Sequence, residues 1–177
     1  YRFFSYGDAS LLLPSNAVGK EYWVMTRQQT HSSLRGYLTV VATGTGDTKV
    51  KVLVSTKTQA GTGPPLLPNG PAQLIPAGPW KSIKTFTLKR GQVLNIETDG
   101  NGADLTGSWI KADKPIIVFG GSEASNSPNT NRCVMTPGAK SGTCQYQGWS
   151  CKGNEDCPVT CCADHLEEQL FPVKSWG

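Results

Sequence analysis

The sequence predicts an all-β fold: an antiparallel β-sandwich with a C-terminal disulfide-rich insert and one short helix. Three observations predict it. Short stretches alternate apolar and polar residues at a period of two, the pattern of half-buried strands. Gly 20 and Pro 12 punctuate 177 residues with turns while staying short of low-complexity composition. All six cysteines fall within residues 133–162. The length suits a single domain with a real core. Its expected parts are a sandwich over 1–128, the disulfide-rich insert over 129–163, and a short helix with a return strand of the same domain over 164–177.

In chain order, 8–26 reads as two short strands, 11–13 and 22–26, parted by a turn at Pro14, Ser15 and Asn16, with Gly19 as a second breaker. A hairpin is expected next. Its first arm, 37–43, sets Leu38, Val40 and Ala42 on one face, and its second, 48–54, sets Val50, Val52 and Val54 opposite Lys49 and Lys51. Residues 55–79 hold six prolines and four glycines without a period, so they read as a long surface connection. A second hairpin is expected from 82–88 and 92–98, turning at Lys89, Arg90 and Gly91, with Phe86 and Leu88 facing Leu94 and Ile96. A third pair, 105–110 and 115–120, would turn at 111–114, and the doubly apolar run Ile116, Ile117, Val118, Phe119 marks a central strand. The helix is read from Asp164 as N-cap, Glu167 closing a capping box, Leu166 and Leu170 one turn apart, and Pro172 as the stop.

The net charge of +4 is spread thinly, which argues against nucleic-acid binding. No stretch approaches the roughly 18 apolar residues of a membrane helix, so no membrane insertion is expected. The N-terminal residues lack signal-peptide character, so an export signal is expected outside the chain. Cys133, Cys144, Cys151, Cys157, Cys161 and Cys162 lie in a glycine-rich segment with few aliphatic residues. Three disulfides there would supply the order that a core cannot. Zinc is the competing reading, but the spacings contain no C-x2-C pair. Disulfides in turn imply an extracellular or cell-surface setting.

Catalytic candidates are few. His31 sits in a polar stretch and reads as a loop histidine. His165 and Glu168 would share one helical face, where they could bind a metal or act as acid and base, but a surface hydrogen bond explains them as well. With no recognisable catalytic motif, the chain is expected to be no enzyme and to need no cofactor or metal. Asp47, Asp99, Asp104 and Asp113 lie in turns, where calcium sites occur, yet they read as turn formers.

The segments GDASLLLPSNAVGKEYWVMT, LKRGQVLNI, DLTGSWIKADKPIIVFGGSEASNSP and CCADHLEEQLFPVKSWG resemble, in order, the successive blocks of the IgGFc-binding protein N-terminal family. The most specific are 105–121 and 164–177. The resemblance implies an extracellular, β-rich module of the kind joined to other adhesive modules. Where that family has a cysteine after the glycines of the VFGG-like strand, this chain has Ala124, so Cys161 or Cys162 is expected to pair within the insert, 133–157. The family pattern is also expected to continue beyond Trp176 and Gly177. No residue set maps onto antibody Fc binding.

The expected function is a structural or adhesive protein-binding module, a subunit of a surface assembly or filament, contacting a protein partner or another copy. Candidate interface residues are Phe3, Phe4, Trp80, Trp149, Phe171 and Trp176, because aromatic side chains crowd both ends of the chain and its turns. The alternative is a carbohydrate-binding module that takes glycans. Its sign would be two or three of Trp80, Trp109, Trp149 and Trp176 coplanar on one exposed face.

Overall fold

A computed structural model describes the chain except residues 1, 4–5, 8–9, 31–32, 127–131, 145–147, 158–162 and 177, and for 2–3, 6–7, 126 and 163 it describes the backbone alone. In chain order the strands are β1 (Arg2–Phe3), β2 (Tyr6–Gly7), β3 (Gly19–Trp23), β4 (Gly36–Ala42), β5 (Thr48–Leu53), β6 (Gly61–Pro65) and β7 (Ala72–Ile75). They continue with β8 (Lys84–Leu88), β9 (Val93–Glu97), β10 (Trp109–Asn126), β11 (Cys133–Met135), β12 (Gly142–Cys144), β13 (Ser150–Cys151) and β14 (Ala163–Gln169). The helical content of the described residues is two 3₁₀ turns, Asn154–Asp156 and Val173–Ser175. The all-β expectation holds.

Strand β10 is the spine. Its first part, from Trp109 to Lys111, pairs with β3 on one edge and β5 on the other, while Ile116 pairs with Gly19 on one side and Ala42 of β4 on the other. So β5 and then β4 run along one edge, with β8 beyond β5 and β9 beyond β4. Strand β3 lies along the other edge, and β14 also pairs with β10. The result is one seven-stranded, nearly closed, barrel-like sheet rather than the two separate layers of a sandwich. Its inward residues, among them Leu38, Val40, Val50, Val52, Phe86, Leu94, Ile110, Ile116 and Val118, form a single buried cluster.

Six expectations are corrected. The arms 37–43 and 48–54 are strands, but β4 pairs with β9 and β10 while β5 pairs with β8 and β10, so they form no hairpin. The same holds for β8 and β9. Alternation fixes which face is buried, and two apolar faces can meet through the core as well as along a ladder. In place of the expected pair over 105–120, one continuous strand, β10, starts at Trp109 and runs through the expected turn at 111–114, and 55–79 contains the hairpin β6–β7. Residues 11–13 form no strand. The expected helix at 164 onwards is β14. Tertiary pairing overrides the capping box here. The Leu170 N–H donates to the Val118 carbonyl at 2.8 Å, and a Cβ on Gly121 would lie 2.4 Å from the Leu166 carbonyl oxygen, so bare glycine backbone seats the strand.

The chain divides into two compact units. One comprises Tyr1–Ser125 with His165–Gly177, and the other Asn126–Asp164. The second unit is built on the sheet β11–β12–β13 and the disulfides Cys133–Cys151 and Cys144–Cys157. Its buried apolar cluster consists of cysteines. These two bonds use every cysteine in 133–157, which overturns the expectation that Cys161 or Cys162 finds its partner there. Cys161 and Cys162 themselves lie outside the described residues.

Candidate functional site

The larger unit carries an apolar groove of about 880 Å³. Alternation along 22–25 builds one wall. Tyr22 and Val24 turn into the core, so Trp23 and Met25 face out, 47% and 66% exposed. The Val24 N–H donates to the Ser108 carbonyl at 2.8 Å, and the Gly107 N–H to the Val24 carbonyl at 2.9 Å, which sets Thr106 and Gly107 beside them. The opposite wall comes from the end of β14 and the chain after it, Glu168 to Phe171, with Trp176 beyond the second 3₁₀ turn. Phe171 and Trp176 are 54% and 58% exposed. Glu168 is the charged residue of the lining.

Polar contacts outside the groove hold these walls. Asp104 accepts from the Thr26 hydroxyl at 2.8 Å and from the Thr106 N–H at 2.9 Å. Burial alone would raise its carboxyl, but the Thr106 and Thr26 donors, with Arg27 near, bring it below its ordinary value. Trp109 lies directly across the ladder from Trp23, and its indole N–H donates to Glu21 at 2.9 Å. Glu21 also accepts from Lys111 at 2.9 Å, and the Lys111 and Trp109 hydrogen bonds lower its carboxyl. Pro172 packs so closely on Gly19 that a Cβ there would lie 2.3 Å from the proline Cβ. On the core side the Tyr22 hydroxyl donates to the Ile116 carbonyl at 2.7 Å and accepts from the Gly19 N–H at 2.8 Å, and burial pushes its phenol upward.

A second, smaller pocket of about 320 Å³ lies at Tyr37, Glu97, Glu123, His165 and Glu167. The expected His165–Glu168 pairing fails because a strand sends these residues to opposite faces, and the two-residue period brings His165 and Glu167 together instead. The Tyr37 hydroxyl donates to Glu167 at 2.7 Å and lies 3.3 Å from His165 Nε2. His165 is only 5% exposed, so it is a packed histidine rather than the surface one expected. His165 Nε2 and Glu167 Oε2 lie 3.9 Å apart in this pocket. Among the described residues, the sulfurs of Cys133, Cys151 and Cys157 are the one group of three or more His, Cys, Asp or Glu ligand atoms within 4.8 Å of one another, and all three are in disulfides.

The other sequence candidates are scattered. Trp80 is buried against Phe86, with its indole N–H donating to the Pro76 carbonyl at 3.0 Å, so it belongs to the core. Trp149 is exposed in the smaller unit. Phe171 and Trp176 lie in the groove, whereas Phe4, His31 and the Phe3 side chain lie outside the described residues. Among the described residues no three of the turn aspartates come together: Asp104 is engaged as above, Asp113 accepts from the Lys49 N–H at 2.9 Å, and Asp99 meets Gln59 and Arg35. Trp23 and Met25 were missed as groove residues. Their signal was present, since 22–25 is apolar on the outward face of a strand as well as the inward one.

A family model described as IgGFc binding protein matches residues 8–177. The chain belongs to the IgGFc-binding protein family. The close contacts at Gly19, Gly121 and Pro172 fall in the blocks that carry the resemblance, so in this member of the IgGFc-binding family those blocks join β3, β10 and β14 and shape the groove between them. Searches of the curated proteins and of the solved structures return no significant match.

Proposed function

We propose that the chain is a non-catalytic, extracellular, structural or adhesive module, and that the groove framed by Trp23, Met25, Phe171 and Trp176 is where it takes a protein partner. The carrying observation is the clustering of these four large apolar side chains, each about half exposed or more, around one concavity. Soluble surfaces seldom tolerate such a cluster unless something covers it. Tryptophan, phenylalanine and methionine are also the residues enriched where proteins meet. The fitting occupant is an extended protein segment with bulky apolar side chains, with a cation able to meet Glu168. Membership of a family named for a binding activity supports a protein ligand. The two disulfides support an oxidising compartment.

A second copy of the chain is the occupant that makes the module a subunit. Sedimentation velocity over a wide concentration range tests this. Self-association that is lost in Trp23→Ala with Trp176→Ala, at unchanged stability, supports assembly through the groove. A monomer that instead binds an antibody Fc fragment, with the same two changes abolishing binding, supports a protein ligand without self-assembly. If both substitutions leave association and Fc binding as they were, the groove is not the docking surface.

A further inference from the structure

In the smaller unit the sulfurs of Cys133, Cys151 and Cys157 all lie within 4.8 Å of one another, although Cys133 is bonded to Cys151 and Cys157 to Cys144. Three of the four sulfurs of the two disulfides are therefore near neighbours, and Cys144 is the atom outside that trio. Burial orders the four. Cys133 is half-buried, whereas Cys151, Cys157 and Cys144 are 2%, 4% and 1% exposed.

We propose that Cys133 is a site of covalent attachment for an external thiol, and that the neighbouring disulfide relays the displaced thiolate inward to Cys144. In the first step a thiolate attacks Cys133 Sγ, forms a mixed disulfide there and expels the Cys151 thiolate. In the second, Cys151 attacks Cys157 Sγ across the short gap, forms a Cys151–Cys157 bond and expels Cys144, which takes up a proton. The electrons balance without another reagent, because the incoming thiol is oxidised to the disulfide level and Cys144 is reduced to a thiol. Thiolate attack on a disulfide sulfur needs only access and proximity. Cys133 offers the access, and the trio offers the proximity.

Two features make Cys144 a fitting end point. It is only 1% exposed, so once released it is shielded from external thiols and oxidants. Its Sγ also lies 3.8 Å from the Asp156 carbonyl oxygen, so the released S–H has an acceptor in place. The relay converts a reversible exchange at the surface into a link that persists. In an extracellular module the partner thiol would belong to another protein.

Reduced glutathione serves as the probe. The full chain is incubated with it, quenched in acid, alkylated and mapped by mass spectrometry. The expected product carries glutathione on Cys133, a Cys151–Cys157 bond and an alkylated Cys144. An adduct on Cys133 that leaves Cys144–Cys157 intact and Cys151 free overturns the relay. Glutathione on any other cysteine, or no adduct, overturns the site. The double variant Cys144→Ser with Cys157→Ser removes the relay while retaining the Cys133–Cys151 bond. After free thiol is removed, its adduct should decay on the order of tenfold faster than the wild-type one. Equal decay, with Cys133–Cys151 re-formed in the variant, counts against the relay. If the variant does not form Cys133–Cys151 at all, the wild-type bond map decides alone.

Discussion

Single side chains fix the seams of the larger unit, and glycines do so by what they lack. A methyl group at Gly121 would lie 2.4 Å from the Leu166 carbonyl oxygen and 2.6 Å from the Tyr37 ring, and both neighbours are held by backbone or packing. Gly121→Ala should therefore cost about 3 kcal/mol by urea denaturation. Gly61→Ala, with open space around the new methyl, should shift stability by no more than about 0.5 kcal/mol. Equal effects would show that β14 is not seated on bare backbone. His165 obeys the same logic. As a surface imidazole it would be dispensable, but buried beside the Tyr37 hydroxyl its loss in His165→Ala should cost about 1–3 kcal/mol. Asp104 adds a pH dependence. Its folded pKa lies below the unfolded one, so its contribution is present above the unfolded value and is lost as pH falls through the folded value. Stability measured from neutral pH down to about pH 2 should fall less steeply below about pH 4 in Asp104→Asn than in the wild type. Identical profiles would show that the Asp104 carboxylate does not stabilise the support of the groove wall.

Strand β14 shows how an element can be misread while its residues are understood. The sequence marks Asp164, Glu167 and Leu170 as a capped helix, and locally nothing contradicts that. What decides is β10, whose open edge takes the Leu170 N–H at Val118, together with the two-residue rhythm that buries His165 and Gln169 and exposes Glu168. Gln169 is 6% exposed and its side-chain oxygen accepts the Leu13 N–H at 2.8 Å. Gln169→Ala should accordingly cost about 1 kcal/mol, while Glu168→Ala should stay within about 0.5 kcal/mol. Equal costs would show that the Gln169 side chain is not held at the Leu13 N–H. Strand locations at 37–43, 48–54, 82–88 and 92–98 were legible because each alternates cleanly. Their partners were not, because Val50 and Leu38 meet in the same core whether or not their strands share a ladder. The groove was legible by half. Phe171 and Trp176 stand out as aromatics near the chain's end, whereas Trp23 and Met25 hide in a stretch whose inward residues, Tyr22 and Val24, already account for its hydrophobicity.

At the level of the whole molecule, the two units draw on different sources of order. The larger has a continuous core running from Tyr22 through Val118 to Leu170. In the smaller, the buried apolar cluster is made of Cys144, Cys151 and Cys157, with Cys133 packed against it, so the disulfides are its core. These bonds span 18 and 13 residues, loop lengths at which constraint of the unfolded chain is worth about 3 kcal/mol each. Reduction should remove that contribution from a unit with little to replace it, while the larger unit keeps its hydrophobic burial. Hydrogen exchange on the full chain, before and after complete reduction and alkylation, separates the outcomes. Amides of β11, β12 and β13 should lose protection on reduction, and those of β4, β5 and β10 should retain it. Thermal unfolding of the larger unit should keep its midpoint and cooperativity, since two-state melting follows the element that holds the core. Loss of protection across β4, β5 and β10 as well would mean that the larger unit depends on the smaller for its stability. Retention in β11–β13 would mean that packing, rather than sulfur, holds the smaller unit together.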